Sequence, residues 1–296
     1  MSEATIAAPV PPVQSQTNGH HKAKSYGETI YDGPLENLPY PDMPPSTEDA
    51  VKSMYTDGYV ILPGVLNRRE AEEFRALIDG KGGDDAQYNV KGWCYNKHLP
   101  MKFHQDPTVL KYMDPDPLMA VVDAILGADC HVLSGGMWVT GAGRKMNIHA
   151  DHIYVSLPED IHNDPRVVIP IFSCSAHYYL KDMTAEMGPT TLIPGSHRAG
   201  RPPRDESTWN GQPPKAVIVK AGDVCLFRHE LWHGAGSNTG QDGRRYMAQV
   251  VYGHATIATW TGYPSLRFKE YYSSEVLASL TPRQSRLLDP ESGPKY

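Results

Sequence analysis

The second half of this chain consists of short apolar runs, each bounded by glycine, proline, asparagine or aspartate. Such runs, separated by turn-forming residues, are typical of the strands of a β-sandwich or barrel. The pattern therefore predicts a mainly β fold. The predicted strands cover residues 132–140, 148–157, 167–172, 177–180, 191–194, 216–219, 224–227 and 246–252.

Helical signals flank these strands on both sides. Thr47 is the predicted cap of a first helix, and Asn67 with Glu70 has the spacing of a capping box that starts a second helix. A third helix is predicted to begin at Pro117, because proline suits the first turn, and to end before Gly127. Helical spacing returns near the end of the chain, so we expect helices packed around a β core.

These patterns divide the chain into an arm and one folded domain. Residues 1–45 are rich in proline, serine, glutamine and asparagine, and we expect a flexible arm there. The predicted domain covers 46–296, with a mainly helical flank at 46–130, a β core at 131–255 and a helical tail at 256–296.

Composition excludes several classes of function. The formal net charge of -6 gives no electrostatic support to a nucleic-acid-binding role. No apolar run is long enough to cross a membrane, and we expect no secretory signal. The cysteines form no CxxC pair and are too dispersed for a disulfide framework, which favours the reducing cytoplasm; they are Cys94, Cys130, Cys174 and Cys225.

A first metal-binding pattern lies in one of the predicted strands. Residues two apart in a strand point to the same face, so His149 and Asp151 can bind one ion side by side. Two histidines and one carboxylate on one face of an octahedral ion leave positions open, an arrangement that favours Fe(II) and oxygen chemistry. An H-x-D triplet is common by chance, so this pattern requires a third ligand elsewhere.

The segment 221–238 supplies a candidate for that third ligand. A turn at Gly222 feeds an apolar strand, and His233 follows with glycines behind it. Arg244 and Arg245 then start the last predicted strand, where a guanidinium can bind a carboxylate through two parallel hydrogen bonds. An organic diacid could bind the metal at one end and arginine at the other.

The same segment also contains a competing motif. Residues 229–233 read H-E-L-W-H, the zinc-protease signature, with His229 and His233 as ligands and Glu230 as general base. That signature requires a helix, yet glycines follow His233 at once, and the longer protease form needs a histidine where Thr239 stands. A zinc-dependent hydrolase is therefore the alternative enzyme.

Together these pieces resemble the phytanoyl-CoA dioxygenase family of Fe(II)/2-oxoglutarate oxygenases. The resemblance covers about 51–288, and its most specific part is T-A-E-M-G-P-T-T-L-I-P-G-S-H at 184–197. It implies a double-stranded β-helix, a cupin-like jelly roll, with Fe(II), 2-oxoglutarate and O2 as cofactor and cosubstrates. It also implies His149, Asp151 and His233 as the metal ligands.

The resemblance leaves the cosubstrate contacts partly open. Counting along the loop points to Arg244 as the anchor of the far 2-oxoglutarate carboxylate, whereas aligning the strand points to Arg245, which we prefer because loops absorb insertions. Many relatives have glutamine where Met146 stands, so Asn147 is the candidate amide. Asp151 is retained, which disfavours halogenation, because related halogenases have a small residue there.

The substrate is the least constrained part of this interpretation. Trp138, Tyr154 and His98 are candidate pocket residues. We expect hydroxylation, or desaturation or epoxidation, of a small molecule such as a secondary metabolite, and a homodimer is left open. A non-catalytic jelly-roll binding module is the other alternative. His197 is expected to shape a turn, and His152 to face away from the metal.

Overall fold

A computed structural model describes residues 29–31, 33–81, 96–240, 243–257 and 271–288. Its strands, in chain order, are β1 (Glu36–Asn37), β2 (Tyr59–Leu62), β3 (Lys97–Pro100), β4 (His131–Thr140), β5 (Met146–His149), β6 (Ser173–Tyr179), β7 (Thr190–Leu192), β8 (Lys215–Ala216), β9 (Val224–Arg228), β10 (His233–Ala235) and β11 (Arg245–Gly253). Its α-helices are α1 (Thr47–Thr56), α2 (Arg68–Gly80), α3 (Asp116–Leu126), α4 (Ser274–Ser279) and α5 (Pro282–Leu288).

The strands form two sheets. One sheet has the order β2-β9-β6-β11-β4-β3, and the other has the order β1-β8-β7-β10-β5. From β4 to β11 the chain crosses repeatedly from one sheet to the other, and the neighbouring core strands are antiparallel. This winding is that of a jelly roll, so the predicted mainly β fold with flanking helices is confirmed.

The helices cover the outer face of the larger sheet. On β6, Ala176 and Tyr178 point outward and pack in the same apolar cluster as Met54 of α1, Phe74 of α2 and Val122 of α3. All five side chains are buried. Because successive strand residues alternate in direction, Ser175 and His177 of β6 point inward.

The helix starts agree with the sequence in part. Asn67 and Glu70 form the predicted capping box, and α3 ends at Gly127, as expected. The first helix differs, because Ser46 rather than Thr47 is its cap. The Ser46 hydroxyl accepts the backbone N–H of Asp49 at 3.1 Å.

Two predicted strands are wrong in extent. The predicted strand 148–157 ends at His149, and no strand forms at 167–172. Pro170 lies inside the second segment and has no N–H for a sheet ladder, while the carbonyls of Ile169 and Pro170 accept hydrogen bonds from Arg228 instead. The sequence analysis also missed the short strands β1, β3 and β10.

Described residues before the predicted boundary at 46 pack on the β core. Strand β1 pairs with β8, Leu38 is buried in the core between the sheets, and Ile148 donates its N–H to the carbonyl of Thr29. The predicted arm therefore ends too late, because backbone groups within 29–45 complete the edge of the smaller sheet. Residues 1–28, 32, 258–270 and 289–296 of the predicted arm and tail lie outside the described part. In that part, no helix is long and apolar enough to cross a membrane.

Candidate metal centre

Strands β5 and β10 bring two histidines together. His149 and His233 are direct partners in the antiparallel register, and their ring centroids lie 4.1 Å apart. Both side chains are buried. The sequence separates these residues widely, and only the pairing of the two strands places their rings side by side.

Asp151 completes the cluster by a route that differs from the prediction. Strand β5 ends at His149, so Asp151 reaches the site from a bend rather than from the same strand face. The next N–H, of His152, donates to the carbonyl of His229 and fixes this bend. Asp151 Oδ1 lies 3.7 Å from Nε2 of His149 and 3.7 Å from Nε2 of His233.

The second ring nitrogens orient both histidines. Nδ1 of His149 lies 2.8 Å from the carbonyl oxygen of Asn147, and Nδ1 of His233 lies 2.9 Å from that of Leu231. A carbonyl only accepts hydrogen bonds, so each Nδ1 carries the proton and each Nε2 presents a lone pair. The three candidate ligand atoms lie within 4.8 Å of one another, and this donor set fits Fe(II).

The charge of the cluster also fits a divalent cation. Burial, followed by the neighbouring His233, lowers the pKa of His149 to about 4. Burial alone would raise the pKa of Asp151, but the charges of His233, His229 and His149 outweigh it and lower this pKa to about 2. Near neutral pH His149 is therefore neutral and Asp151 is ionised, as metal ligation requires.

The zinc-protease alternative does not fit this geometry. Residues 229–232 connect β9 to β10, His233 begins β10, and the segment forms no helix. Glu230 forms a fully buried ion pair with Arg228 at 3.0 Å. The two ring nitrogens of His229 each lie 2.8 Å from a hydroxyl, those of Ser173 and Ser175. Neither His229 nor Glu230 is therefore available for the roles that the motif assigns to them.

A cavity of about 140 Å³ lies between the sheets and contains this cluster in its wall. Arg245 also lines the cavity, is buried, and donates to the carbonyl of Gly188. Arg244 is exposed and directly precedes β11. Of the two arginines, Arg245 lines the cavity and Arg244 does not.

The predicted amide is less well placed. Met146 lines the cavity, whereas the Asn147 side chain is not part of its lining. The carbonyl of Asn147 instead orients His149. The cosubstrate contact predicted for the Asn147 side chain has no support from this geometry.

The candidate pocket residues lie at different distances from the centre. Trp138 lines the cavity, with its ring 5.3 Å from that of His177. His98 lies beside Trp138, as its partner in the pairing of β3 with β4, and their ring centroids are 6.4 Å apart. Tyr154 contacts the site indirectly, because the Ser173 hydroxyl bonds to its phenol oxygen at 2.9 Å.

Several lining residues were not singled out from the sequence. His177, Thr190 and Gln249 all face the cavity. The alternation of side chains along a strand could have indicated them. His177 on β6 and Gln249 on β11 are direct partners, so their side chains point to the same face of the sheet. That signal requires the register between strands, which the sequence does not show.

Comparison with known proteins assigns the family. The family description "Phytanoyl-CoA dioxygenase (PhyH)" matches residues 54–246. The chain belongs to the phytanoyl-CoA dioxygenase family. It is therefore a 2-oxoglutarate-dependent dioxygenase, and the Fe(II) and 2-oxoglutarate expected from the resemblance agree with the His-Asp-His cluster.

Individual relatives were also found for this dioxygenase, among curated proteins and among solved structures. It is 24% identical to dioxygenase af480 of Aspergillus fumigatus over 270 residues, which cover 83% of this chain and 78% of that protein. HygX from Streptomyces hygroscopicus, crystallised with nickel and 2-oxoglutarate, is 22% identical with a TM-score of 0.57, over 73% of this chain and 90% of that one. The epimerase SnoN from nogalamycin biosynthesis is 21% identical with a TM-score of 0.52, over 71% and 83%. The two structures show a shared fold.

The most specific motif of the family has a structural explanation here. In the segment 184–197, the Ser196 hydroxyl accepts the backbone N–H of Trp232, next to the candidate ligand His233. Nε2 of His197 lies 3.2 Å from the carbonyl oxygen of Tyr55. His197 therefore ties this turn to the end of α1 and lies outside the metal cluster.

Proposed function

We propose that this dioxygenase oxidises a C–H bond of a small organic molecule, with Fe(II) held by His149, Asp151 and His233 and 2-oxoglutarate anchored by Arg245. The observation that carries the proposal is that all four side chains line one cavity. These three ligands would bind one side of an iron ion and would leave positions for 2-oxoglutarate and O2.

When bound, iron supplies the activation of O2 that is coupled to the conversion of 2-oxoglutarate to succinate and carbon dioxide. The protein contributes positioning and exclusion of water. Arg245 fixes the far carboxylate through a planar pair of donors. Apolar groups of Trp138, Met146 and Met247 line the cavity beside the ligands and limit the access of water.

The substrate that we propose is a secondary metabolite, oxidised by hydroxylation or by desaturation or epoxidation. Solved structures of similar fold carry hygromycin B and nogalamycin RO, which supports a substrate of this class. The net charge of -6 gives no support to a nucleic-acid substrate. The cytoplasmic location and the homodimer stay predictions.

Anaerobic titration with Fe(II) and 2-oxoglutarate tests the site. We expect the metal-to-ligand charge-transfer band of the chelated cosubstrate in the wild-type protein. No band would contradict the proposal, and a band that survives His233→Ala would contradict the ligand assignment. Succinate formation with O2 separates an enzyme from a jelly-roll module that only binds its ligands.

A further inference from the structure

A continuous chain of hydrogen bonds runs behind the cavity wall. The Tyr154 phenol oxygen lies 2.9 Å from Ser173 Oγ, which lies 2.8 Å from Nδ1 of His229. On the other side of the ring, Nε2 of His229 lies 2.8 Å from Ser175 Oγ, which accepts a hydrogen bond from Gln249 Nε2 at 2.9 Å. His229 is fully buried in the middle of this chain.

The direction of the chain follows from the number of protons. Gln249 Nε2 only donates, so the Ser175 hydroxyl accepts from it and gives its own proton to Nε2 of His229. His229 then carries its proton on Nδ1 and donates to Ser173, whose hydroxyl donates to Tyr154. The carboxylate oxygen Asp151 Oδ2 lies 3.8 Å from Nε2 of His229, outside hydrogen-bond distance.

This direction of the chain agrees with the Gln249 nitrogen lying on Ser175. Its nitrogen is held by Ser175, so its carboxamide oxygen is the polar atom left for the cavity that the residue lines. Within the described part of the chain, the Gln249 side chain makes no other hydrogen bond. Gln249 is half-buried, whereas Ala248 and Val250 beside it are fully buried.

Gln249 also lies away from the proposed cosubstrate anchor. It lies four positions from Arg245 on β11, which corresponds to about 13 Å along a strand. Both side chains point inward, because they are an even number of residues apart. Gln249 lies at the middle of β11, whereas the proposed carboxylate anchor Arg245 lies at its first residue.

We propose that Gln249 determines substrate specificity by accepting a hydrogen bond from a hydroxyl or N–H group next to the oxidised carbon, and that His229 is the positioning residue that holds it in this orientation. The proposal rests on the function proposed above. It gives a role to the histidine of the H-E-L-W-H segment that is not a metal ligand. It also narrows the substrate to molecules with a hydrogen-bond donor near the reacting carbon.

The first test measures which ring nitrogen of His229 carries the proton. We would record ¹⁵N spectra of the ring nitrogens in the full chain loaded with 2-oxoglutarate and Zn(II), a diamagnetic replacement for iron, and assign His229 by comparison with His229→Asn. A proton on Nδ1 is the expected result. A proton on Nε2, or on both nitrogens, would overturn the proposal, because the chain would then run in reverse and Gln249 would present its NH2 group.

Matched probes give the second test. Phenol with anisole, and benzyl alcohol with benzyl methyl ether, differ in one donor, and their binding would be followed anaerobically through the charge-transfer band of the Fe(II)–2-oxoglutarate complex. We expect the wild type to bind the hydroxyl probes on the order of tenfold more tightly than the ethers. Gln249→Met should remove this preference, Ser175→Ala should weaken it, and Ser175→Thr should restore it.

The outcomes separate this proposal from the function on which it rests. A band of normal intensity in Gln249→Met shows an intact metal and cosubstrate site, whereas no band in the wild type contradicts the function itself. Equal affinity for both members of a pair in the wild type, no response to the hydroxyl probes, or a preference that survives Gln249→Met would overturn the role of Gln249.

Discussion

The guanidinium of Arg245 donates a hydrogen bond to the backbone carbonyl of Gly188. This contact joins the proposed 2-oxoglutarate anchor on β11 to the most specific motif of the chain, in the turn that precedes β7. Arg245 therefore takes its position from a turn as well as from its own strand. A change in that turn should alter cosubstrate binding without touching a metal ligand.

Gly188→Ala should weaken 2-oxoglutarate binding and stability together. Gly188 has φ +64, and a Cβ there would overlap the Gly236 carbonyl oxygen and the Asn238 nitrogen. Gly211 is the matched control, with φ +77 and open space around it. Gly211→Ala should lower the free energy of unfolding by about 1–2 kcal/mol, from backbone strain alone. Gly188→Ala should lower it further and raise the KM for 2-oxoglutarate; equal effects would contradict this explanation.

Arg245→Lys should raise the Kd for 2-oxoglutarate by roughly 10- to 100-fold, because lysine lacks the planar pair of donors. Arg244→Lys serves as the control, since Arg244 is exposed, directly precedes β11 and does not line the cavity. Anaerobic titration of the charge-transfer band measures both variants. A larger effect from Arg244→Lys would assign the anchor to the other arginine.

His233→Ala should abolish the charge-transfer band, because the metal would lose one of its two nitrogen ligands. His152→Ala is the matched control: His152 directly follows Asp151 but is exposed. We expect the control to bind Fe(II) and 2-oxoglutarate like the wild type. Loss of the band in His152→Ala with retention in His233→Ala would reassign the ligand.

Glu230→Gln should reduce stability while leaving the chemistry largely intact. Glu230 and Arg228 form a buried ion pair, and neutralising one partner leaves the other charge uncompensated, at a cost on the order of 3 kcal/mol. Chemical denaturation measures this loss, and the charge-transfer band and succinate formation report on the site. Intact stability with complete loss of activity would instead favour a catalytic glutamate.

The stability of the protein should fall in acid partly through His197. Burial, with the nearby charge of Arg228, lowers its pKa from 6.5 to about 3. The unfolded chain therefore binds the proton first as pH falls, and stability is lost from about pH 6.5 downward to about pH 3. One such group contributes up to about 1.4 kcal/mol per pH unit.

His197→Gln provides the comparison. Denaturant titrations of both proteins at stepped pH should give a shallower decline for the variant between pH 6.5 and the acid limit. The variant should also be less stable near neutral pH, because the contact with the Tyr55 carbonyl changes. Parallel curves would show that His197 is not a source of the acid sensitivity.

Much of the fold could be predicted, because strand and helix signals are local. The capping box of Asn67 and Glu70 and the end of α3 before Gly127 depend only on nearby residues, and both occur as expected. Strand β10 could not be predicted, since its three residues contain two small side chains and gain their pairing from β5 and β7. The cap at Ser46 was missed because Thr47 has the same chemistry one residue later.

The sequence by itself determined the candidate residues of the site. The order of the H-x-D triplet, the 184–197 motif and the distal histidine named His149, Asp151 and His233, because these types and spacings belong to one kind of chemistry. It also reduced the carboxylate anchor to Arg244 or Arg245. Sequence patterns of this kind indicate residue types and the side-chain directions within one strand or helix.

Only the tertiary structure decided how these residues are used. The pairing of β5 with β10 sets His149 against His233, a bend rather than a strand brings Asp151 to them, and the serines of β6 occupy both nitrogens of His229. These outcomes depend on the register between strands that are distant in sequence. Register is set by the packing of the whole core, which no local pattern records.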